Sequence, residues 1–191
     1  KPTWGSVPRA GLKMLAESLD TIGTLANSAA DAEAFALALA GRPIKSTNPL
    51  SEAPRIGICR TVAWPNIEYA GANALEEAAT RAARAGAKIL DVQLPEQFAT
   101  ALEDHDIVMT YEARGMLAYE RSKHWDRLSP ALQDVMRRGM KHDWSAYQSA
   151  LSNRRACRHG LIQAFQDVDV LLTPSALGEA PEGLGFTGSP D

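Results

Sequence analysis

Arg55-Ile56-Gly57-Ile58-Cys59 and Lys88-Ile89-Leu90-Asp91-Val92 are two short apolar runs on either side of a stretch with helical period, and this arrangement decides the fold class. Runs of this length and composition read as buried strands. Between them, Trp64-Pro65 interrupts the chain. From near Asn66 to Ala85, Leu75, Ala78, Ala79, Ala82 and Ala83 fall on one side of a helix, and Glu76, Glu77, Arg81 and Arg84 on the other. Gly86 then stands where a helix C-terminus favours glycine. Strand, helix and strand in that order predict parallel pairing through a right-handed crossover.

Outward from this unit, Pro95 is expected to open a helix whose apolar positions are Phe98, Ala101, Leu102, Val108, Met109 and Met116. Two more helices are expected over about 130–140 and 143–167, separated near Lys141, and Val168 to Thr173 reads as a third strand ending at Pro174. On the N-terminal side, residues 42–54 carry Pro43, Pro49 and Pro54 and read as a loop. Before it, a helix is expected from Ser28 to Leu39. Ser28 caps it, Asp31 takes the place where a capping box has Glu or Gln, and Gly41 stops it. Its face Ala32, Phe35, Ala36 and Leu39 recurs at helical spacing. Residues 1–26 read as turns and short extended pieces around Gly5, Pro8, Gly11 and Gly23. The order β-α-β-α-α-α-β beyond residue 54 argues a layered α/β fold and not a helical bundle.

The 191 residues, 45% of them hydrophobic and 23% charged, are enough for one domain with its own core. A net charge of -3 gives no electrostatic case for nucleic acid or for an anionic membrane surface, so neither partner is expected. No apolar run is long enough to span a bilayer, and the first residues lack a signal-peptide pattern. Cys59 and Cys157 are too few for a disulfide framework or a zinc site, and read as buried thiols in a reducing, cytoplasmic setting. The chain does not begin with methionine and stops at the loop-like Gly188-Ser189-Pro190-Asp191, so it reads as an internal piece of a longer protein.

The residues that could carry chemistry form no complete site. A nucleophilic serine needs a neighbouring base, and Ser6, Ser18, Ser28 and Ser175 have none at a useful spacing; Ser18 and Ser28 fit turn and cap positions instead. Gly183-Leu184-Gly185-Phe186-Thr187-Gly188 matches G-x-G-x-x-G in letters only, because it follows Pro181 and runs to Pro190 instead of joining a strand to a helix. His105, His124, His142 and His159 are scattered and match no metal motif. Glu103, Asp104, Asp106 and Glu112 read as a solvated charged helix face.

Two blocks near the N-terminus carry a family resemblance. They are Lys1-Pro2-Thr3-Trp4-Gly5-Ser6-Val7-Pro8-Arg9-Ala10-Gly11 and Ser18-Leu19-Asp20-Thr21-Ile22-Gly23, with Asp169-Val170-Leu171-Leu172-Thr173-Pro174 near the other end. The chain resembles amidase-signature hydrolases in the region just after their nucleophilic serine. The resemblance implies an α/β fold, a mixed sheet core layered with helices, of which residues 1–191 supply a partial domain. It also implies hydrolysis of a carboxylic amide by a Ser-Ser-Lys mechanism without a cofactor.

All three catalytic residues of that arrangement are expected upstream of Lys1, so no catalytic residue is assigned in this chain and the fragment alone is expected to be inactive. Lys1 belongs to the Lys-Pro-Thr run and is read as part of the fold. The resemblance points to Trp64, Ile107, Thr110 and Tyr111 as substrate-pocket residues and to a small-molecule amide as substrate. It implies association with another copy or with the N-terminal part of the fold. Two alternatives stand beside it: a protein like the amidotransferase component that acts on charged tRNA with partner chains, and a non-catalytic structural or interaction module.

Overall fold

The computed structural model describes residues 1–44, 51–183 and 185. β1 (Arg55–Cys59) pairs in parallel with β2 (Lys88–Val92) on one side and with β3 (Val170–Leu172) on the other, as the strand-helix-strand pattern requires. Ile56 lies opposite Ile89 and Val170, and Ile58 opposite Asp91 and Leu172. A Cβ on Gly57 would lie 2.6 Å from the Val92 side chain and 3.0 Å from that of Leu171. Glycine at this position lets side chains of both neighbouring strands close over the central one.

α2 (Tyr69–Arg84) starts later than the sequence predicts. Pro65 sits in the first turn of a 3-10 helix, Trp64–Asn66, after which Ile67 and Glu68 are extended. The break is held because the Glu68 N–H donates to the Leu177 carbonyl (2.8 Å). The far end is a Schellman turn. Ala87 N–H bonds the Ala82 carbonyl, Gly86 N–H bonds the Ala83 carbonyl, and Gly86 takes φ +100°. Leu75 and Ala79 of α2 pack on Ile58, with Trp64, Ile89 and Leu172 around them.

The chain divides into two compact units, Lys1–Pro49 with Asp106–Gln148, and Leu50–His105 with Ser149–Asp191. The second contains the sheet. The first has its own core of Ala113, Leu117 and Met136, flanked by Leu15, Trp125, Leu132 and Val135. α1 (Ala29–Leu39) has the expected cap, Ser28 Oγ accepting from the Asp31 N–H. Yet none of its residues is buried, and Phe35 and Leu39 of the expected packing face are exposed.

α3 (Ala101–Met116) does not begin at Pro95. That residue precedes a 3-10 turn, Glu96–Phe98, and the helix proper starts after Thr100, whose carbonyl accepts from Asp104 N–H and whose hydroxyl donates to the Asp104 carboxylate. α4 (Ala118–Lys123), which the sequence pattern does not disclose, and a 3-10 turn, Trp125–Arg127, link it to α5 (Pro130–Lys141). α6 (Trp144–Ala164) follows. α3 and α5 touch backbone to backbone: a Cβ on Gly139 would lie 2.0 Å from the Thr110 carbonyl oxygen.

Candidate functional site

In the sheet unit, the carboxyl ends of β1 and β3 open into a cavity of about 110 Å³ lined by Thr61, Ala63, Trp64 and Ile67 from one loop and by Pro174, Ser175, Ala176 and Leu177 from the other. The chain leaves β1 towards β2 on one side, while β3 lies on the opposite side, so this is where the strand order reverses. Crevices at such points, outside the carboxyl ends of parallel strands, are where open α/β sheets take ligands. A second cavity of about 340 Å³ adjoins the same loop, between Leu172–Ala176 and the small residues Ala70, Gly71, Ala74 and Ala78 of α2. Gly71 is required there, since a Cβ would lie 2.9 Å from the Leu177 carbonyl oxygen.

Arg60, the residue after β1, fixes the wall of the first cavity. Its guanidinium donates to Asp91 of β2 (2.5 Å) and to Glu76 of α2 (2.7 Å), and lies 5.2 Å from the centre of the Trp64 ring. The hydrogen bonds to Asp91 and Glu76 hold its pKa above the ordinary arginine value. Sequence reading passes over Arg60, although the register carries a signal. Asp91 faces Ile58, and Arg60 lies two residues on, on the same side of the sheet. The walls are apolar and aromatic with two hydroxyls, from Thr61 and Ser175, the usual make-up of a small-molecule pocket.

Of the four residues expected to line a pocket, Trp64 belongs to this cavity. Ile107, Thr110 and Tyr111 belong to the helical unit. Ile107 is half-buried. Thr110 is 0% exposed, and its hydroxyl donates to the Asp106 carbonyl (2.8 Å) beneath Gly139. Tyr111 stacks on Tyr147 with ring centres 4.3 Å apart, while the Arg114 guanidinium lies 3.8 Å from the centre of the Tyr111 ring and donates to the Gly139 and His142 carbonyls.

The two N-terminal blocks fold against each other. Arg9 donates to the Glu17 and Asp20 carbonyls (2.6 and 3.1 Å) and lies over Trp4. The Asp20 carboxylate accepts the Leu15 and Ala16 N–H groups (2.7 and 3.0 Å), and Gly23 rests beside Lys1 and Pro2. Ser28 serves as the cap expected of it, accepting from the Asp31 N–H, and Ser6 donates to the Thr3 carbonyl.

Of the acidic face of α3, Glu103 is exposed as its sequence suggests, and the other three carboxylates are paired. Asp104 accepts from Asn153, Asp106 is paired with Arg138, and Glu112 accepts from the Ser18 N–H and the Tyr147 hydroxyl (2.7 Å each). Sequence reading misses these pairings because the partners lie 32 to 94 residues away. Cys59 and Cys157 are free and buried, and burial pushes both thiols up. Among the described residues, no three His, Cys, Asp or Glu side chains gather to hold a metal, and no helix is long and apolar enough to cross a membrane. Of the G-x-G-x-x-G segment, only Gly183 and Gly185 lie among the described residues.

A sequence model of the family described as Amidase matches residues 1–187. The 2-amino-5-chloromuconic acid deaminase of Comamonas testosteroni is 30% identical over 95% of this chain, which spans 40% of that protein. The A component of the glutamyl-tRNA(Gln) amidotransferase of Synechococcus sp. (strain WH7803) is 28% identical over 94% of this chain and 45% of its own length. The solved structure of an amidase superimposes with a TM-score of 0.84 at 26% identity, covering 97% of this chain and 42% of that one. The chain thus spans less than half of each of these relatives. With its α/β core and its Lys-Pro-Thr and Ser-Leu-Asp blocks in place, it belongs to the amidase family.

Proposed function

We propose that this chain is the scaffold and pocket-wall part of an amide hydrolase that cleaves a carboxylic amide C–N bond by a Ser-Ser-Lys mechanism. In that reaction a lysine takes the proton of a bridging serine, which takes the proton of the nucleophilic serine as its oxygen attacks the carbonyl. The C–N bond breaks, the amine leaves with a proton, and water then hydrolyses the acyl-enzyme. The three reacting side chains belong to a segment other than these 191 residues, and no cofactor is required. The observation that carries the reading is the cavity at the carboxyl ends of β1 and β3, walled by Trp64, in a chain that belongs to the amidase family. In the same reading Trp64 of the sheet unit, and Ile107, Thr110 and Tyr111 of the helical unit, are pocket residues that shape the preference among acyl or amine groups.

Fluorophosphonate labelling read by intact mass tests this proposal. The chain alone should gain no adduct, and the chain joined to the amidase segment that precedes the Lys-Pro-Thr block in a family relative should gain one. Labelling of the 191 residues by themselves refutes the placement of the nucleophile. In the joined enzyme, Tyr111→Ala should change the ranking of amide substrates, and an unchanged ranking removes Tyr111 from the pocket.

A second reading has one observation in its favour, the 28% identity to a component of the glutamyl-tRNA(Gln) amidotransferase. It makes the chain part of an amidotransferase component that acts on charged tRNA with partner chains. Co-purification with the other components of such an amidotransferase supports it, and free hydrolysis of simple amides without them argues for the first reading.

A further inference from the structure

Both walls of the cavity at the carboxyl ends of β1 and β3 are pinned. Trp64 lines it and also packs against the core of Ile58, Leu75 and Ala79, while the Arg60 guanidinium lies 5.2 Å from the centre of its ring. Arg60 is held in turn by Asp91 and Glu76, so the ring moves only if core packing and brace are both broken. The facing wall, Pro174 to Leu177, is tied to α2 through the Leu177 carbonyl, which accepts from the Glu68 N–H (2.8 Å). Gly71 and Gly178 leave no slack there, since a Cβ on the first would meet the Leu177 carbonyl oxygen and one on the second the Glu68 carboxylate. A pocket between two fixed walls has a fixed size. That size is small. A cavity of about 150 Å³ takes a benzene ring, and the volume of about 110 Å³ here gives room, in proportion, for roughly four non-hydrogen atoms. No charged side chain lines it, and only Thr61 and Ser175 offer hydroxyls, so an ionic group would lose its water without gaining a partner of opposite charge. The neighbouring cavity of about 340 Å³ shares Pro174, Ser175 and Ala176 with it, which leaves space for the rest of a longer molecule.

We propose that this cavity restricts the hydrolase to amides in which one side of the C–N bond carries a small uncharged group, about four non-hydrogen atoms or fewer, and that Trp64 sets the limit. Propyl and isobutyl groups fit within it, and a phenyl ring does not. The kinetic side of this proposal rests on the hydrolysis reading, whereas the size limit on binding rests on the cavity alone. Trp64 acts here by occupying space, as a specificity residue that takes no part in the bond changes. Its pinned ring explains why the limit is sharp: a mobile side chain would move aside for a larger group, and this one is held by Arg60 and by the core.

Two series of amides test it, one varied in the acyl group (acetamide, butyramide, isovaleramide, benzamide) and one in the amine (N-methyl-, N-propyl- and N-benzylacetamide). In the joined enzyme, kcat/KM should hold or rise along one series up to the propyl or isobutyl member and then fall by about tenfold or more at the phenyl or benzyl member. Trp64→Phe should cut that fall to about threefold, and Ala63→Leu, which adds bulk to the lining, should move the limit down to the methyl member. No limit in either series, or a limit that neither variant moves, overturns the proposal. Binding of butyramide and of benzamide to the 191-residue chain itself, read by saturation-transfer NMR, separates the size limit from the hydrolysis reading. Transfer to butyramide that Ala63→Leu weakens, with none to benzamide, supports the limit even where the joined enzyme hydrolyses no amide, and that failure counts against the proposed function only. Equal or stronger transfer to benzamide, or transfer to neither probe, overturns the limit even where hydrolysis proceeds.

Discussion

Two glycines in helices show how a single missing carbon positions an element. Gly139 lets α5 meet the backbone of α3, where an added Cβ would come within 2.0 Å of the Thr110 carbonyl oxygen. Backbone cannot give way as a side chain can, so Gly139→Ala should destabilise the chain by about 1–3 kcal/mol, the usual range for overpacking. Gly160 makes a milder case, because its Cβ would meet the amide end of Gln97, the tip of a flexible side chain held by one long hydrogen bond to the Ala156 carbonyl (3.4 Å), and would come within 3.1 Å of the Pro95 ring. Gly160→Ala should therefore cost less than about 1 kcal/mol, helped by the better helix propensity of alanine. Urea midpoints of the two variants beside the parent decide it, and equal losses would refute the geometric account. The Arg55 and Asp169 pair belongs to the same scale. Asp169 accepts from the Arg55 N–H and guanidinium, and these hydrogen bonds hold its carboxyl below the ordinary value. A lowered folded pKa stabilises above the unfolded value of about 3.9 and is lost as pH falls through the folded one. Asp169→Asn should lower the melting temperature slightly at pH 7 and remove part of the decline below about pH 4. A parallel acid decline in both proteins would refute the assignment.

Elements were legible in the sequence wherever their signals were local. The limits of β1 and β2, the cap of α1 and the glycine ending α2 all follow from residues within a few positions of one another. Gly86 shows the strength of such a signal: at φ +100° it supplies a backbone that alanine adopts only under strain. Gly86→Ala should cost about 1–2 kcal/mol and fray the last turn of α2, which thermal melts and exchange of the Ala82 to Ala87 amides can read. Where a start depends on a distant carbonyl, local reading fails. α2 begins late because Glu68 is bonded to Leu177, more than a hundred residues away. The cavity was half legible for the same reason: Trp64 could be named from a family resemblance, but its floor comes from Ser175 to Leu177 and its brace from Arg60, whose partners lie on α2 and β2. If Arg60 braces the wall, Arg60→Ala in the joined enzyme should raise KM for the preferred amide several-fold with little change in kcat, and Arg60→Lys should restore part of it. A loss confined to kcat would place Arg60 in the chemistry instead.

Taken as a whole, the molecule has well-formed elements on thin cores. Among the described residues, Met136, Val108 and Thr110 are the largest side chains wholly shut off from solvent, with Ile58, Leu75 and Val168 nearly so, while Trp144, Tyr119, Phe35 and Ile162 are exposed. Fully burying a Leu- or Phe-sized side chain contributes about 1.5–3 kcal/mol, and fixing the backbone of one residue costs about 1–2 kcal/mol, so few deep burials leave little margin for 191 residues. The chain alone should therefore melt at or below the lower end of the roughly 45–65 °C range of mesophilic domains, with a broad transition, and should enhance the fluorescence of an apolar dye before it unfolds. A steep transition well above that range in the isolated chain, with no dye binding, would show that its own burial suffices and that the exposed apolar side chains have no structural cost.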